Sequence, residues 1–572
     1  MDKIKNLIAK LIINVLDENI NEKDILEKIE VPKDNKNGDF SYPCFNLARV
    51  LKKSPVVIAN EIKEKIVLDE KLQKVEAVNG FLNFYLNNTN VLEDVLKNIL
   101  EQNENYGKSS EGKGQKIVID YSSPNIAKPF HLGHFRNTVL GSAIYKLYNA
   151  LGYEIVGINH LGDWGRQFGL IIEGYKRFKD EYDLKKEPVK VLAQIYARMN
   201  KIAKEDESVM DIARDNFKKL EQGDKEAVAL WEYFREVSLE EYNRIYDLLG
   251  SKFDSYNGEA FYNDKMDEII SILEDKKVLE DSQGAKVVNV GDDIPPCIVL
   301  KSNGSTIYAT RDLAAILYRV RNYDFTKAIY VTATDQILHF KQVFEVAKHL
   351  VDKKYQEGLV HVPYGMVRLK SGKMSSREGT VIYINDLIKE AIEKSKKIIV
   401  EKNTDVDDID KLAKQIGIGA LTFNYLKSGK IKDVIFDLDD TLKFDGETGP
   451  YVQYTYVRTK SILDRANFNI KNIDAQNIKF DLLKEDEEIN LVKELQKFQD
   501  IIRKSANSYE PSILTRYIID ISALFSKFYN NCKVLSCEDE YVKQARLALV
   551  YATSIVIKNG LTILGIECPD KM

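Results

Sequence analysis

The chain has 572 residues, 44% of them hydrophobic and 30% charged, and its 83 Lys and Arg against 88 Asp and Glu leave a net charge of −5. That balance fits roughly three or four domains with real cores. It excludes collagen-like and low-complexity classes and a uniformly basic nucleic-acid coat, while leaving local basic grooves open. In chain order, Ile4, Leu7, Ile8, Leu11, Ile12 and Val15 recur at helical spacing. Asp17 and Glu18 interrupt that run and no small-residue cleavage site follows, so it reads as structure and not as a secretion signal. A polar turn at 33–38 and a strand at Phe81–Leu86 complete an α+β first domain, 1–105. A hydrophilic linker, Tyr106 to Gln115, follows.

The second domain, 116–443, alternates short apolar runs with helical stretches. Strands are expected at Lys116–Asp120, Tyr153–Asn159, Ala328–Ala333 and Leu359–Val362, with a helix starting near His134. This is the pattern of an α/β fold with a parallel sheet. The stretch 175–280 is charged and helical and reads as an insertion. The third domain, 444–572, has amphipathic segments at 487–504, 513–530 and 541–564 and reads as an all-α bundle. No apolar run approaches the ~18 residues that span a membrane. Cys44, Cys297, Cys532, Cys537 and Cys568 form no CxxC pair, which suits a reducing cytoplasm and disfavours a thiolate zinc site.

Two stretches carry chemistry. DYSSPNIAKPFHLGHFRNTVLG (Asp120 to Gly141) lies between the first strand of the sheet and a helix, where open α/β sheets bind ligands and helix N-termini attract phosphate. His131 and His134 add side-chain donors, and Gly133 between them allows a flat base close to the backbone. LKSGKMSSREG (Leu369 to Gly379) is a basic, hydroxyl-rich loop in which Lys373, Ser375, Ser376 and Arg377 can stabilise charge on departing pyrophosphate. Alone, either stretch has a plainer reading: structural histidines, a zinc site on His131, His134 and His160, or a solvated loop.

Together, HLGH and KMSSR resemble the two motifs of class I aminoacyl-tRNA synthetases. The order of SSPNIAKPFHLGH, NHLGDWGRQFG, YATRDLA, HVPYGMV, KMSSREG and the C-terminal RLALVYATSIVIKNGLTILGIECPDKM is similar to that of the arginyl-tRNA synthetases, and NGDFSYPCFNLAR and GFLNFYL resemble their N-terminal tRNA-binding domain. The resemblance implies activation of L-arginine with ATP and Mg²⁺, then transfer to tRNA(Arg), with tRNA bound first. It makes the parallel sheet Rossmann-type and assigns catalysis to His131, His134 and Lys373, and ATP binding to His131, Gly133, His134, Met374, Ser375, Ser376 and Arg377. It assigns arginine to Ser123, Asn125, His134, Tyr308, Asp312 and Gln336.

The residues themselves agree on substrate. Tyr308 and Asp312, four apart, share a helical face, and a carboxylate beside a phenol suits a guanidinium. His160, Asp163 and Gln167 are expected to shape the same pocket, Trp164 to pack, and Arg166 to face tRNA. Ser376 stands where the class motif usually has a second lysine, and Lys128 is the expected replacement cation. In GPYVQYTYVRTK, Tyr451, Tyr454, Tyr456, Arg458 and Lys460 are candidates for stacking on unpaired tRNA bases, with Tyr451, Tyr454 and Arg458 foremost; a core helix is the alternative. No zinc and no membrane contact are expected, and the chain is expected to be a cytoplasmic monomer. The competing functions are another class I synthetase, such as a cysteinyl one, whose soft zinc site the scattered cysteines argue against, a non-catalytic tRNA-binding protein, and a metallohydrolase built on His131 and His134.

Overall fold

The computed structural model describes residues 2–16, 20–32, 34–304, 306–369, 383–402, 406–469 and 477–572. The chain divides into two compact units. The first comprises Met1–Gly107, Thr455–Ile501 and Ile518–Asn559; the second comprises Lys108–Tyr454, Ile502–Tyr517 and Gly560–Met572. Among the described residues no helix is long and apolar enough to cross a membrane.

In the first unit the Asp2–Ile13 helix buries Ile4, Ile8 and Ile12, one face at four-residue spacing. Strands β1 (Phe40–Pro43), β2 (Leu72–Val78) and β3 (Phe81–Leu86) form an antiparallel sheet in the order β1-β3-β2. Asn79 and Gly80 join β2 to β3 with φ of 52° and 85°, both in the left-handed region that a two-residue hairpin requires. The helices of this unit include Asn88–Gln102 and Asp486–Leu495. A buried ion pair, Arg546 to Glu488 at 2.6 Å, ties the later helices together.

The second unit is built on β4 (Lys116–Asp120), β5 (Glu154–Ile158), β6 (Leu279–Ser282), β7 (Ala285–Val288), β8 (Cys297–Leu300), β9 (Lys327–Ala333) and β10 (Leu359–Tyr364). Four of these make one parallel sheet in the order β10-β9-β4-β5. All four lie where the apolar runs of the sequence place strands. The chain leaves β4 for β5 on one side and returns to β9 on the other. The carboxyl ends of β4 and β9 therefore flank the crevice where such sheets bind ligands.

Between β5 and β9 the insertion is helical: Gln167–Phe178, Pro188–Glu205, Ser208–Glu221 and Lys225–Leu249 close around Phe168, Ile171, Leu192 and Phe234. It then ends in the antiparallel sheet β6-β7-β8, which the sequence pattern does not announce. These strands are four residues long, and Leu279–Ser282 has no buried side chain, so no alternation marks it. A parallel pair, β11 (Val367–Leu369) and β12 (Val434–Phe436), is shorter still at three residues each. Late segments of the chain belong to this unit as well. The Glu510 carboxylate accepts from the Lys430 backbone N–H, and the Glu567 carbonyl accepts from Gln453 Nε2.

Candidate active site

β4 ends at Asp120, and the next helix begins at Leu132, two residues before the expected start near His134, because His131 is its N-cap. The His131 imidazole does what a Ser or Asp oxygen does at other helix starts. Its Nδ1 accepts from the backbone N–H of Gly133 at 3.1 Å and of His134 at 3.4 Å. The His134 Nδ1 reaches back to the His131 N–H at 3.5 Å. The two rings stack with centroids 3.6 Å apart.

This arrangement fixes the tautomers. With Nδ1 accepting, a neutral imidazole carries its proton on Nε2, at the far side of the ring. Burial, with the Lys128 ammonium second, holds the His131 imidazole down at about 4. Burial, then His131 and Lys128, pushes His134 well below its usual range. Both rings are thus neutral donors at pH 7. Gly133 matters for a reason the sequence did not supply: an added Cβ would sit 3.0 Å from the His131 ring and disturb the cap.

Ser123 Oγ donates to Asp120 Oδ1 at 3.0 Å, and Asp120 Oδ2 accepts from Arg319 at 2.6 Å. Arg319 is buried over the Tyr330 ring of β9. Asn125 is exposed, and its backbone bridges to Gly162 after β5. His160, also after β5, stacks on Tyr262 and lies 3.5 Å from Arg319. Burial lowers its pKa first; the nearby Asp120, Asp312 and Asp163 charges oppose that shift. Among the described residues no group of three or more His, Cys, Asp or Glu could hold a metal ion.

Tyr308 and Asp312 sit one turn apart on the Tyr308–Tyr323 helix. Tyr308 is 61% exposed, whereas Asp312 is half-buried and holds His339 Nε2 at 2.6 Å through Oδ2. Glu259 is a second acidic group here that sequence reasoning missed. It lies 3.7 Å from Arg311, and burial, assisted by the Asp312 and Asp163 charges against the Arg311 pull, raises its carboxyl to about 7. Its signal in the sequence is weak, one Glu among many in a charged insertion. Gln336 closes a short 3-10 turn after β9 and is exposed. Asp163 is buried, accepts from the Ala260 N–H and faces Arg235, so it braces the insertion. Trp164 packs edge-on against Phe217 and Trp231, and Gln167 Nε2 donates to the Trp164 carbonyl.

Lys373, Met374, Ser375, Ser376 and Arg377 lie outside the described residues. Both flanks of their segment are tied to the HLGH stretch. Ile384 N–H donates to the Phe130 carbonyl at 2.9 Å, and Tyr383 bridges His131. On the other flank Arg136, buried on the His131-capped helix, donates to the carbonyls of Gly365, Met366, Lys430 and Lys432. Gly365 is required for that approach, since a Cβ there would lie 2.4 Å from the Ile431 carbonyl. Arg136 is a further residue the motifs did not single out.

Tyr451, Tyr454 and Arg458 lie on the Gly449–Arg465 helix, the two tyrosines in the second unit and Arg458 in the first. Tyr454 is exposed, Arg458 covers the Tyr529 ring at 4.7 Å, and Tyr456 is buried, which removes it as a stacking platform.

A parallel sheet that reverses order between β4 and β9, with a stacked pair of neutral histidines capping the helix at that point, defines the nucleotide-binding fold of class I aminoacyl-tRNA synthetases. Family comparison agrees: residues 95–438 match the class I (R) tRNA synthetase catalytic domain, 452–572 the DALR anticodon binding domain, and 2–86 the arginyl tRNA synthetase N-terminal domain. The chain is similar to the arginine–tRNA ligase of Clostridium botulinum (strain Alaska E43 / Type E3), at 47% identity over 99% of this chain and 100% of that protein. The arginine–tRNA ligase of Clostridium acetobutylicum is 45% identical over the same shares. The crystal structure of Plasmodium falciparum arginyl-tRNA synthetase superposes with a TM-score of 0.81 at 27% identity, covering 100% of this chain and 99% of that one. Thermus thermophilus arginyl-tRNA synthetase has the same fold, with a TM-score of 0.83 at 23% identity, covering 99% and 100%. The chain belongs to the arginyl-tRNA synthetase family.

Proposed function

We propose that this arginine–tRNA ligase divides its reaction, ATP + L-arginine + tRNA(Arg) to L-arginyl-tRNA(Arg) + AMP + diphosphate, among the residues above as follows. The arginine carboxylate attacks the α-phosphorus, and pyrophosphate leaves. The Nε2–H groups of His131 and His134 donate to phosphate oxygens as charge builds on them, a stabilisation that preorganised neutral donors give without a desolvation cost of their own. Lys128 and Lys373 supply positive charge at the same phosphates, and Gly133, Met374, Ser375, Ser376 and Arg377 complete the ATP site. Asp312, Glu259, Tyr308 and Gln336 hold the guanidinium, while Ser123, Asn125 and His134 hold the head of the amino acid. A ribose hydroxyl at the tRNA 3′ end then attacks the acyl carbonyl and releases AMP.

Mg²⁺ arrives with ATP. The donors at the phosphate end are imidazoles and lysines, not carboxylates, which fits an ion held by phosphate oxygens and water and not by a protein cage. When bound it neutralises phosphate charge. Residues 1–105 and 444–572 engage the tRNA, the latter at the anticodon with Tyr451, Tyr454 and Arg458, and 116–443 carries the chemistry. We assign the enzyme to the cytoplasm as a monomer.

The observation that carries this reading is the pair of neutral histidines whose Nδ1 atoms cap the helix after β4, together with the neighbouring carboxyl groups of Asp312 and Glu259 in the same unit. ATP–pyrophosphate exchange with each of the twenty amino acids, with and without total tRNA, tests it. Exchange should respond to arginine alone. Exchange driven by another amino acid, or none at all, would overturn it.

A further inference from the structure

The loop from Tyr121 to Phe130 holds three non-glycine residues in the left-handed region: Ser122 (φ 71°), Ser123 (46°) and Ala127 (58°). L-residues adopt it only when surrounding contacts insist. Asp120, Asn137 and Thr138 supply some of those contacts from within the same stretch, and the inserted helix supplies more. Ser238, Tyr242 and Tyr246 are four residues apart on the inserted Lys225–Leu249 helix, so they form one stripe, and all three are buried. Ser238 Oγ accepts from the Ala127 N–H at 2.8 Å. The Tyr242 hydroxyl faces the carbonyls of Asn125 at 2.7 Å and Lys128 at 2.6 Å. The Tyr246 hydroxyl shares a 2.8 Å hydrogen bond with Ser122 Oγ and accepts from Asn159 Nδ2 at 2.9 Å. Apart from the Asn159 bond, each of these ends on the segment that carries the loop cation and the head of the amino-acid site.

We propose that Tyr242 is a positioning residue for arginine activation. Its single hydroxyl proton, shared between two carbonyls, sets the backbone of Asn125 and Lys128, and through them the amino-acid head and the ammonium at the phosphates. The insertion orients the other end of Lys128 too, since its ammonium lies 5.6 Å from the centre of the Tyr196 ring on the Pro188–Glu205 helix. Burial keeps the Tyr242 phenol protonated, its pKa raised well above the usual tyrosine value, so the donor is constant across the working pH range. The insertion is thereby a working part of the active site and not only a decoration on the sheet. This inference rests on the roles given above to Lys128 and Asn125.

The test is Tyr242→Phe in the full-length enzyme, assayed by arginine-dependent pyrophosphate exchange with tRNA present. The ring and its packing with Phe130 remain, so folding should persist. The expected result is a fall in kcat of about 10- to 100-fold, the scale of a small displacement of a reacting group. The KM for ATP should stay within about threefold, because ground-state binding is not what the hydroxyl serves. Ser238→Ala, one turn away, should lower kcat less, with the same split. The double variant of Tyr242→Phe and Lys128→Ala should be no slower than Lys128→Ala alone, since one acts through the other. Multiplicative losses, or wild-type kcat and arginine KM in Tyr242→Phe, overturn the proposal. If Lys128→Ala retains full kcat, the role assigned to Lys128 fails separately. The Tyr242→Phe effect must then appear as a raised arginine KM through Asn125, and a kcat loss without it overturns the positioning role.

Discussion

Replacing Asp312 by Asn probes substrate choice most directly. The side chain is 26% exposed, its Oδ2 is occupied by His339 Nε2 at 2.6 Å, and Tyr308 lies one turn earlier on the same helix. Asn keeps the shape and one acceptor, so packing survives, and only the charge proposed to face the guanidinium is lost. A hydrogen bond to a charged partner is worth about 1.5–3 kcal/mol, which converts to a rise in arginine KM of about 10- to 150-fold. Glu259 supplies a second carboxylate nearby and pulls the expectation toward the lower end of that range. Exchange kinetics with saturating ATP and tRNA measure it. Citrulline, neutral and nearly isosteric with arginine, gives the control: it should discriminate between wild type and variant much less than arginine does. An unchanged arginine KM, or an equal loss for citrulline, would refute the charge pairing and reduce Asp312 to a partner for His339.

The histidine cap separates two roles that alanine alone would confuse. His131→Asn should keep the helix capped and the melting temperature near wild type while lowering kcat about 10²- to 10³-fold, and His131→Ala should lose a further ~1 kcal/mol of stability; full activity in the Asn variant would make His131 purely structural. Glu259, held to about 7, must ionise to pair with a guanidinium. Arginine binding therefore strengthens as pH rises through 7, with KM falling about tenfold between pH 6 and 8, a slope that Glu259→Gln should flatten and that the opposite trend would contradict. Arginine-dependent exchange should be absent until tRNA(Arg) is added, as an induced fit completing the site, and full exchange by the free enzyme would exclude that requirement.

Deleting the chain after about Asp445 is a poor test of the tRNA requirement, and the reason is structural. Glu510 caps the Lys430 backbone and Glu567 holds Gln453, so segments late in the sequence are built into the same unit as the parallel sheet. Amphipathic periodicity shows that 444–572 is helical, but not which core each helix joins.

By itself the sequence determined the four core strands of the sheet, because buried parallel strands are bounded apolar runs, and it placed the HLGH stretch between a strand and a helix, because glycine, proline and polar residues break the apolar pattern there. It determined the Tyr308–Asp312 face, since four residues is one turn of helix. The tertiary structure decided everything that depends on residues far apart in the chain meeting in space. Arg136 reaches carbonyls more than two hundred residues away, Glu259 joins Asp312 from a charged insertion, His339 takes one oxygen of Asp312, and Tyr242 supports Lys128 from across that insertion. None of these has a local signature. A buried arginine among carbonyls, a carboxyl raised by its neighbours and a tyrosine bonded to a loop acquire their roles from surroundings that only the folded chain assembles.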